Sequence, residues 1–477
     1  MIKFILLFFG LLVYGCTTPS YPSIDHPTQE ITPEDSQIIA YIDQRLEEEY
    51  YWLDEVIKRS LSFDRRVPWA NYMGRALTML STNGDDGYIN AKGERVLYSY
   101  IREVDAATRS TAVGYGINLY FTVVSVGDDR LGFIVSNVYR GSVAEASDVR
   151  RGDVIVNVNG EDVTMNNYMT LFNSIHQSKA SSLRLHIQRQ TAESEQEKSH
   201  IANLTPSSYI PSTVAYHDII EIEGSEQRIG YLVYTGFDNK YDEELLAALA
   251  SFALEPVTDL ILDLRHNGGG DVASAVKLCS AIVDASHRGS LLFELRRNPH
   301  NVVHPSPSLC YVEDCGIAIA PATITIICSS DTASAAEMII TGLRGLDIPI
   351  TLIGTTTEGK NCGMDVTRVT IGERYLEYAP ITFMCYNAKG FCEYGEGIAP
   401  DVDLCGPNKY GVEDKHFPLP RCPWGDLSHD IALVTAVASA TGKSVSQDAA
   451  TRGAGYDDVD VCHRIASPVV GALLYNE

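Results

Sequence analysis

Apolar positions fall at helical spacing over the first hundred residues, at alternate positions over the next hundred, and in short blocks beyond. Ile38, Ile39, Ile42, Leu46, Tyr50, Leu53 and Ile57 form one helical stripe. It opens on Thr32-Pro33-Glu34-Asp35, which supplies a capping threonine, a proline at the first helical position and acid in the first turn. A second stripe runs through Tyr72, Ala76, Leu77 and Leu80, and a weaker segment spans 96–104 after the turn at 83–87. Residues 33–110 therefore read as a small helical domain, with Tyr50, Tyr51 and Trp52 in its core. From Thr111 the period becomes two and glycine turns separate short strands, through about residue 205. Past Tyr209 strands and helices alternate, which favours a mainly parallel sheet over 206–443. The strands are read at Ile229–Tyr234, Leu260–Arg265, Ala322–Cys328, Thr351–Gly354 and Tyr375–Phe383. The helices are read at Asp242–Phe252, Val272–Val283, Ala335–Gly342 and Asp430–Ala440. The fold class expected is α+β, in several domains.

Composition narrows the partners. The 477 residues carry a formal charge of −25, which argues against a nucleic-acid partner, and the basic groups are too dispersed to grip anionic lipid. The first sixteen residues differ from the rest: Lys3 precedes an apolar run from Phe4 to Tyr14, and Val13-Tyr14-Gly15-Cys16 resembles a lipobox. That resemblance implies an export signal over 1–16 and lipidation of Cys16. The chain would then be anchored to a bacterial membrane on the periplasmic or cell-surface side, with 17–32 as a flexible tether. The ten remaining cysteines lie between Cys279 and Cys462, and an exported location permits disulfides. Cys310 and Cys315 are close enough to close a short loop. No Cys/His spacing fits a zinc site well, and no cofactor is expected. Residues 444–477 carry no functional signal.

The chemistry concentrates between Pro321 and Gly363. The run Ala-Thr-Ile-Thr-Ile-Ile-Cys at 322–328 leads through Ser329-Ser330-Asp331-Thr332-Ala333-Ser334 into a helix, so Ser334 sits where a strand becomes a helix. Such a junction exposes the hydroxyl and turns free backbone N–H groups toward whatever lies beside it. A further strand delivers Glu358-Gly359-Lys360. A serine needs a base, and a lysine serves as one only where burial disfavours its charge, so the pair predicts a Ser–Lys dyad. Singly, Ser334 would be a helix cap and Lys360 a solvated loop residue.

Ser-Ala-Ala-Glu at 334–337 and Glu-Gly-Lys at 358–360, with Asp-Leu-Arg-His-Asn-Gly-Gly at 263–269 and Gly-Glu-Gly-Ile-Ala-Pro-Asp at 395–401, resemble the carboxyl-terminal processing (tail-specific) protease family. The resemblance implies Ser334 as nucleophile, Lys360 as general base and Glu337 as a supporting residue, on a ClpP/crotonase-like α/β core. It also implies an oxyanion hole from the amide of Gly269, with Gly268 close behind, and that of Ala335. The family usually reads Gly-Lys-Gly with a glutamine four residues after the lysine. Here Asn361 and Met364 stand in those places. Residues 111–205 resemble a PDZ domain, through Gly-Asp-Val-Ile at 152–155 and Asn-Gly at 159–160. The loop Tyr115-Gly116-Ile117-Asn118 would hold a peptide carboxylate, and the tail would add as a strand. The expected partners are thus C-terminal tails of proteins or peptides. Three alternatives stay open: a Ser–His triad built on His266 with Asp263 or Asp271, a peptide-binding surface lipoprotein without catalysis, and acyl chemistry on a non-peptide substrate.

Overall fold

The computed structural model describes residues 31–89, 94–104, 112–126, 130–177, 182–191, 194–407, 413–414, 421–442 and 461–464. The signal and Cys16 lie outside them, as does most of the tether. Among the described residues no helix is long and apolar enough to cross a membrane.

The region past Tyr209 is built on a six-stranded sheet in the order Val214–Glu221, Arg228–Tyr234, Asp259–Asp263, Thr323–Cys328, Ile350–Gly354, Val402–Asp403. All neighbours pair in parallel except the first two. Parallel strands are covered on both faces, which explains their continuous apolar runs. One face, with Leu232, Leu260, Leu262, Ile326 and Leu352, packs under the helices Asp242–Leu254, Val272–Ile282 and Ala335–Gly345. The other, with Ile229, Tyr231, Ile261, Ile327 and Ile353, packs on the helix Ile431–Ala440 through Ala432, Leu433 and Ala436. A four-stranded antiparallel sheet stands beside it, in the order Ser308–Tyr311, Leu291–Arg297, Ile381–Asn387, Cys362–Met364. Its last strand begins two residues after Lys360. Cys310 and Cys315 are both free thiols.

The N-terminal helices form at Pro33–Glu49, Leu53–Arg59 and Trp69–Thr78, the first closed by a Thr32–Asp35 capping box. The segment at 96–104 is not helical. Tyr100–Glu103 is a strand, antiparallel to Arg374–Ala379, with Tyr100 opposite Ala379 and Glu103 opposite Leu376. Pairing with a distant partner overrides the weak local stripe. Nor does this region have a core of its own: Ile38, Ile42, Leu46, Tyr50 and Tyr72 share one apolar cluster with Cys362, Leu376, Tyr378, Ile381 and Met384.

The β domain presents a sheet in the order Ser194–Leu204, Leu183–Thr191, Val154–Val158, Leu131–Val138, Ile117–Ser125, Val461–Arg464. The helix Tyr168–Gln177 supplies Leu171, Phe172 and Ile175 to its core. It docks on the region of the six-stranded sheet through buried polar groups. Arg151 Nη1 donates to the Cys422 carbonyl at 2.6 Å, and its guanidinium lies 3.5 Å from the Trp424 ring centroid. Trp424 Nε1 donates to Asn137 Oδ1 at 3.2 Å. Asp430 faces Arg151 at 3.5 Å and Arg265 at 2.8 Å, with all three side chains buried.

Candidate active site

Ser334 sits at φ 54°, ψ −118°, immediately before the helix Ala335–Gly345. A left-handed non-glycine residue costs about 1–3 kcal/mol and persists only where its surroundings fix it. Here they do. The Ala333 N–H donates to the Asn267 carbonyl at 3.0 Å, Thr332 Oγ1 to the Leu264 carbonyl at 2.8 Å, and Ser329 Oγ to the Arg265 carbonyl. The turn carrying the serine is thus fastened to the end of the neighbouring strand and its glycine loop.

Glu337, fully buried one turn into the helix, ties the serine to the lysine. Its Oε2 accepts the N–H groups of Ser334 and Lys360, each at 2.9 Å. Its Oε1 accepts the Thr357 hydroxyl at 2.6 Å and the Gly359 N–H at 2.8 Å. Burial pushes its carboxyl up to about 7 against the pull of these donors.

The lysine turn follows the strand Ile350–Gly354. Gly359, at φ +95°, lies against the phrase at 395–401: a Cβ there would come within 2.4 Å of the Gly395 carbonyl oxygen. Thr357 Oγ1 accepts the Ile398 N–H at 2.8 Å, and Asp401 Oδ2 accepts the Leu352 N–H at the same distance. The Gly-Glu-Gly-Ile-Ala-Pro-Asp phrase therefore buttresses the lysine turn. Lys360 is half-buried, with Nζ 4.8 Å from the ring centroid of Tyr98. Burial holds its ammonium below the usual lysine range, against nearby acidic groups that pull the other way.

Ser334 and Lys360 border one cavity of about 50 Å³, walled by Met338, Cys362, Met364 and Phe383. Met364, in the place where glutamine was expected, puts a thioether on that wall. Among the glycines the structure redistributes the expected roles. Gly269, at φ +99°, is so close that a Cβ would lie 2.7 Å from that of Ser334, yet its N–H donates to Asn267 Oδ1 at 2.9 Å. The amide first expected to face an oxyanion is engaged within its own loop. The N–H groups of Gly268 and Ala335 have no acceptor among the described residues.

His266 does not join this cavity. Its Nε2 meets the Tyr120 hydroxyl of the β domain at 2.9 Å, and Nδ1 stands 3.8 Å from Asp331. Asp263 pairs with Arg265, and Asp271 Oδ2 accepts the Asn239 N–H. The Ser–His triad is therefore not assembled. Tyr115, Gly116, Ile117 and Asn118 lie where the strand Ile117–Ser125 begins. Gly116 is at φ +74°, and Asn118 Nδ2 donates to the Tyr139 hydroxyl at 2.9 Å. Sequence reasoning missed Tyr98, whose signal is a lone aromatic far from the lysine in the chain. It also missed Thr357, although Thr355-Thr356-Thr357 ends only three residues before the lysine.

Residues 228–404 match the model of peptidase family S41, and residues 116–188 that of the PDZ domain. Residues 228–404 thus carry an S41 peptidase domain. A "Probable CtpA-like serine protease" of Staphylococcus aureus is 24% identical over 280 residues, which cover 57% of this chain and 50% of that protein. The chain thus spans half the length of that relative. A protein of the same name from Staphylococcus haemolyticus is 21% identical over 465 residues, 94% of this chain and 81% of the other. A solved structure from Bacteroides fragilis, described as an S41 protease, superposes with a TM-score of 0.66 at 22% identity. It covers 84% of this chain and 97% of its own, and shares the fold. S41 is a family of serine-type peptidases, and the PDZ domain of this chain is the sheet that meets His266 through Tyr120.

Proposed function

We propose that this chain is an exported serine endopeptidase of family S41, lipidated at Cys16, that cleaves proteins engaged through their C-terminal tails. The observation that carries the catalytic reading is the shared cavity of Ser334 and Lys360, with burial depressing the lysine's charge. Neutral Lys360 takes the Ser334 proton as Oγ attacks the scissile carbonyl. The oxyanion receives the Ala335 amide and an amide of the glycine loop. Gly268 is uncommitted, whereas Gly269 would first have to leave Asn267. Each such donor is worth roughly 3 kcal/mol of transition-state stabilisation. The lysine ammonium then returns its proton to the leaving amine, and water resolves the acyl-enzyme by the same route. Glu337 positions rather than reacts, by holding the backbone on both sides of the dyad.

The test is digestion of an unstructured protein with an apolar C-terminus by the chain from Thr17, beside Ser334→Ala and Lys360→Ala. Cleavage by the parent alone is expected. Cleavage by Lys360→Ala at the parent rate would remove the dyad. Tail binding by all three without cleavage would leave the peptide-binding lipoprotein, a reading that the engaged Gly269 amide favours.

A further inference from the structure

A PDZ sheet captures a tail on one exposed strand edge, and here that edge is taken. Ile117–Ser125 pairs on one side with Leu131–Val138 and on the other with Val461–Arg464, a strand from the far end of the same chain. The register sets Val461 opposite Val124, His463 opposite Val123 and Arg464 opposite Thr122, antiparallel, with an irregularity between Val461 and His463. Reading from Val461 to Arg464, the chain advances from Val124 toward Ile117, and so toward Tyr115–Asn118. A tail whose carboxylate is to reach that loop must run in the same direction along the same edge. One edge offers one row of backbone donors and acceptors, so two strands cannot hold it together.

We infer that residues 461–464 are a built-in competitor, a strand of this chain that occupies the tail-docking edge of its own PDZ domain and must leave before a substrate tail can bind. The inference rests on the tail-recognition reading only for the identity of the displaced ligand. The self-pairing stands on the register. A tethered competitor acts at an effective concentration on the order of millimolar, so it excludes a free tail even where its intrinsic affinity is weak.

The test uses the Ser334→Ala chain, so that nothing is cleaved, in three forms: complete, ending at Gly442, and complete with His463→Pro. Proline cannot donate to the ladder, and it disturbs the added strand while leaving the rest of the chain in place. Hydrogen exchange of the 122–124 amides is measured in each form, together with anisotropy of a fluorescein-labelled peptide ending in Ala-Ala-Leu-Leu. The expected result is exchange at least about tenfold faster in both altered forms, and peptide binding tighter by about the same factor, as loss of a tethered competitor requires. Unchanged exchange at 122–124 in both altered forms would overturn the inference. So would protection in the complete chain that vanishes on dilution, because the strand would then come from a second copy. Faster exchange with no peptide bound by any form would leave the self-pairing standing and refute tail recognition instead.

Discussion

Glu337 makes an unequal prediction for two substitutions at one position. In Glu337→Ala the N–H groups of Ser334, Gly359 and Lys360 all lose their acceptor, and the Thr357 hydroxyl loses its partner too. Each orphaned buried donor costs about 1–3 kcal/mol, so even with water entering the space the loss is at least about 3 kcal/mol. In Glu337→Gln the side-chain nitrogen avoids the Oε2 position, where it would face two fixed N–H donors. It settles at the Oε1 position, where the Thr357 oxygen, which already accepts the Ile398 N–H, can turn its second lone pair to the amide, and Gly359 is the one backbone donor orphaned. Against that single cost stands relief of a buried charge. The rise from 4.5 to about 7 corresponds to about 3 kcal/mol of penalty on the ionised form. The glutamine variant is therefore expected within about 1 kcal/mol of the parent at pH 8.

The pH dependence has a definite sign. A carboxyl whose folded value is raised contributes stability that is fully present below about 4.5 and lost as pH rises through about 7. Glutamine does not titrate. Alanine does not titrate either, so the parent's advantage over both variants should shrink by the same amount between pH 5 and pH 8, with Glu337→Ala the less stable of the two at both values. Urea-unfolding midpoints at both pH values read this, and peptide turnover should fall far more in the alanine variant than in the glutamine one. Equal destabilisation by the two variants, or an advantage over glutamine that grows with pH, would refute the reasoning.

Two further outcomes follow from the lysine turn. Gly359→Ala forces a side chain onto positive φ against the Gly395 carbonyl oxygen, so peptidase activity should fall at least about a hundredfold with the far-ultraviolet spectrum retained. Turnover near the parent's would show that the turn can yield. Tyr98→Ala admits water to Lys360; the lost ring attraction is worth about 0.5–2 kcal/mol and favours charge, but restored hydration favours it more. The acid limb of kcat/KM against pH should move to higher pH, and a shift to lower pH would mean that the ring, not burial, governs the lysine.

What was legible in the sequence was local. Strand, turn and helix at 323–345, and the glycine loop after Asp263, each carry their signal within a few residues, so Ser334, Lys360 and Glu337 could be named as candidates from the chain alone. What was missed depends on partners far along the chain. Tyr100–Glu103 is a strand only because Arg374–Ala379 lies beside it, and Tyr98 reaches the lysine only because that pairing brings it there. Gly269 was read as an oxyanion donor because its sequence neighbours allow it. The Asn267 side chain that takes its N–H lies two residues away, with nothing in the pattern to announce the bond. Val461–Arg464 is too short to stand out from a polar stretch, and becomes a strand by borrowing an edge.

The buried contact between Arg151, Trp424 and Asp430 bears on how this protein can be re-engineered. A PDZ domain is an attractive module to exchange when a different tail preference is wanted. Here the graft would have to bring a guanidinium to position 151, a hydroxyl to position 120 and an amide to position 137. A donor lacking the arginine would strip Asp430 of one of its two cations inside the fold, and removing one partner of a buried pair costs about 3–5 kcal/mol. The tail preference proposed for this chain would therefore be more readily altered residue by residue along Ile117–Ser125 and Tyr168–Gln177 than by transplanting the whole domain.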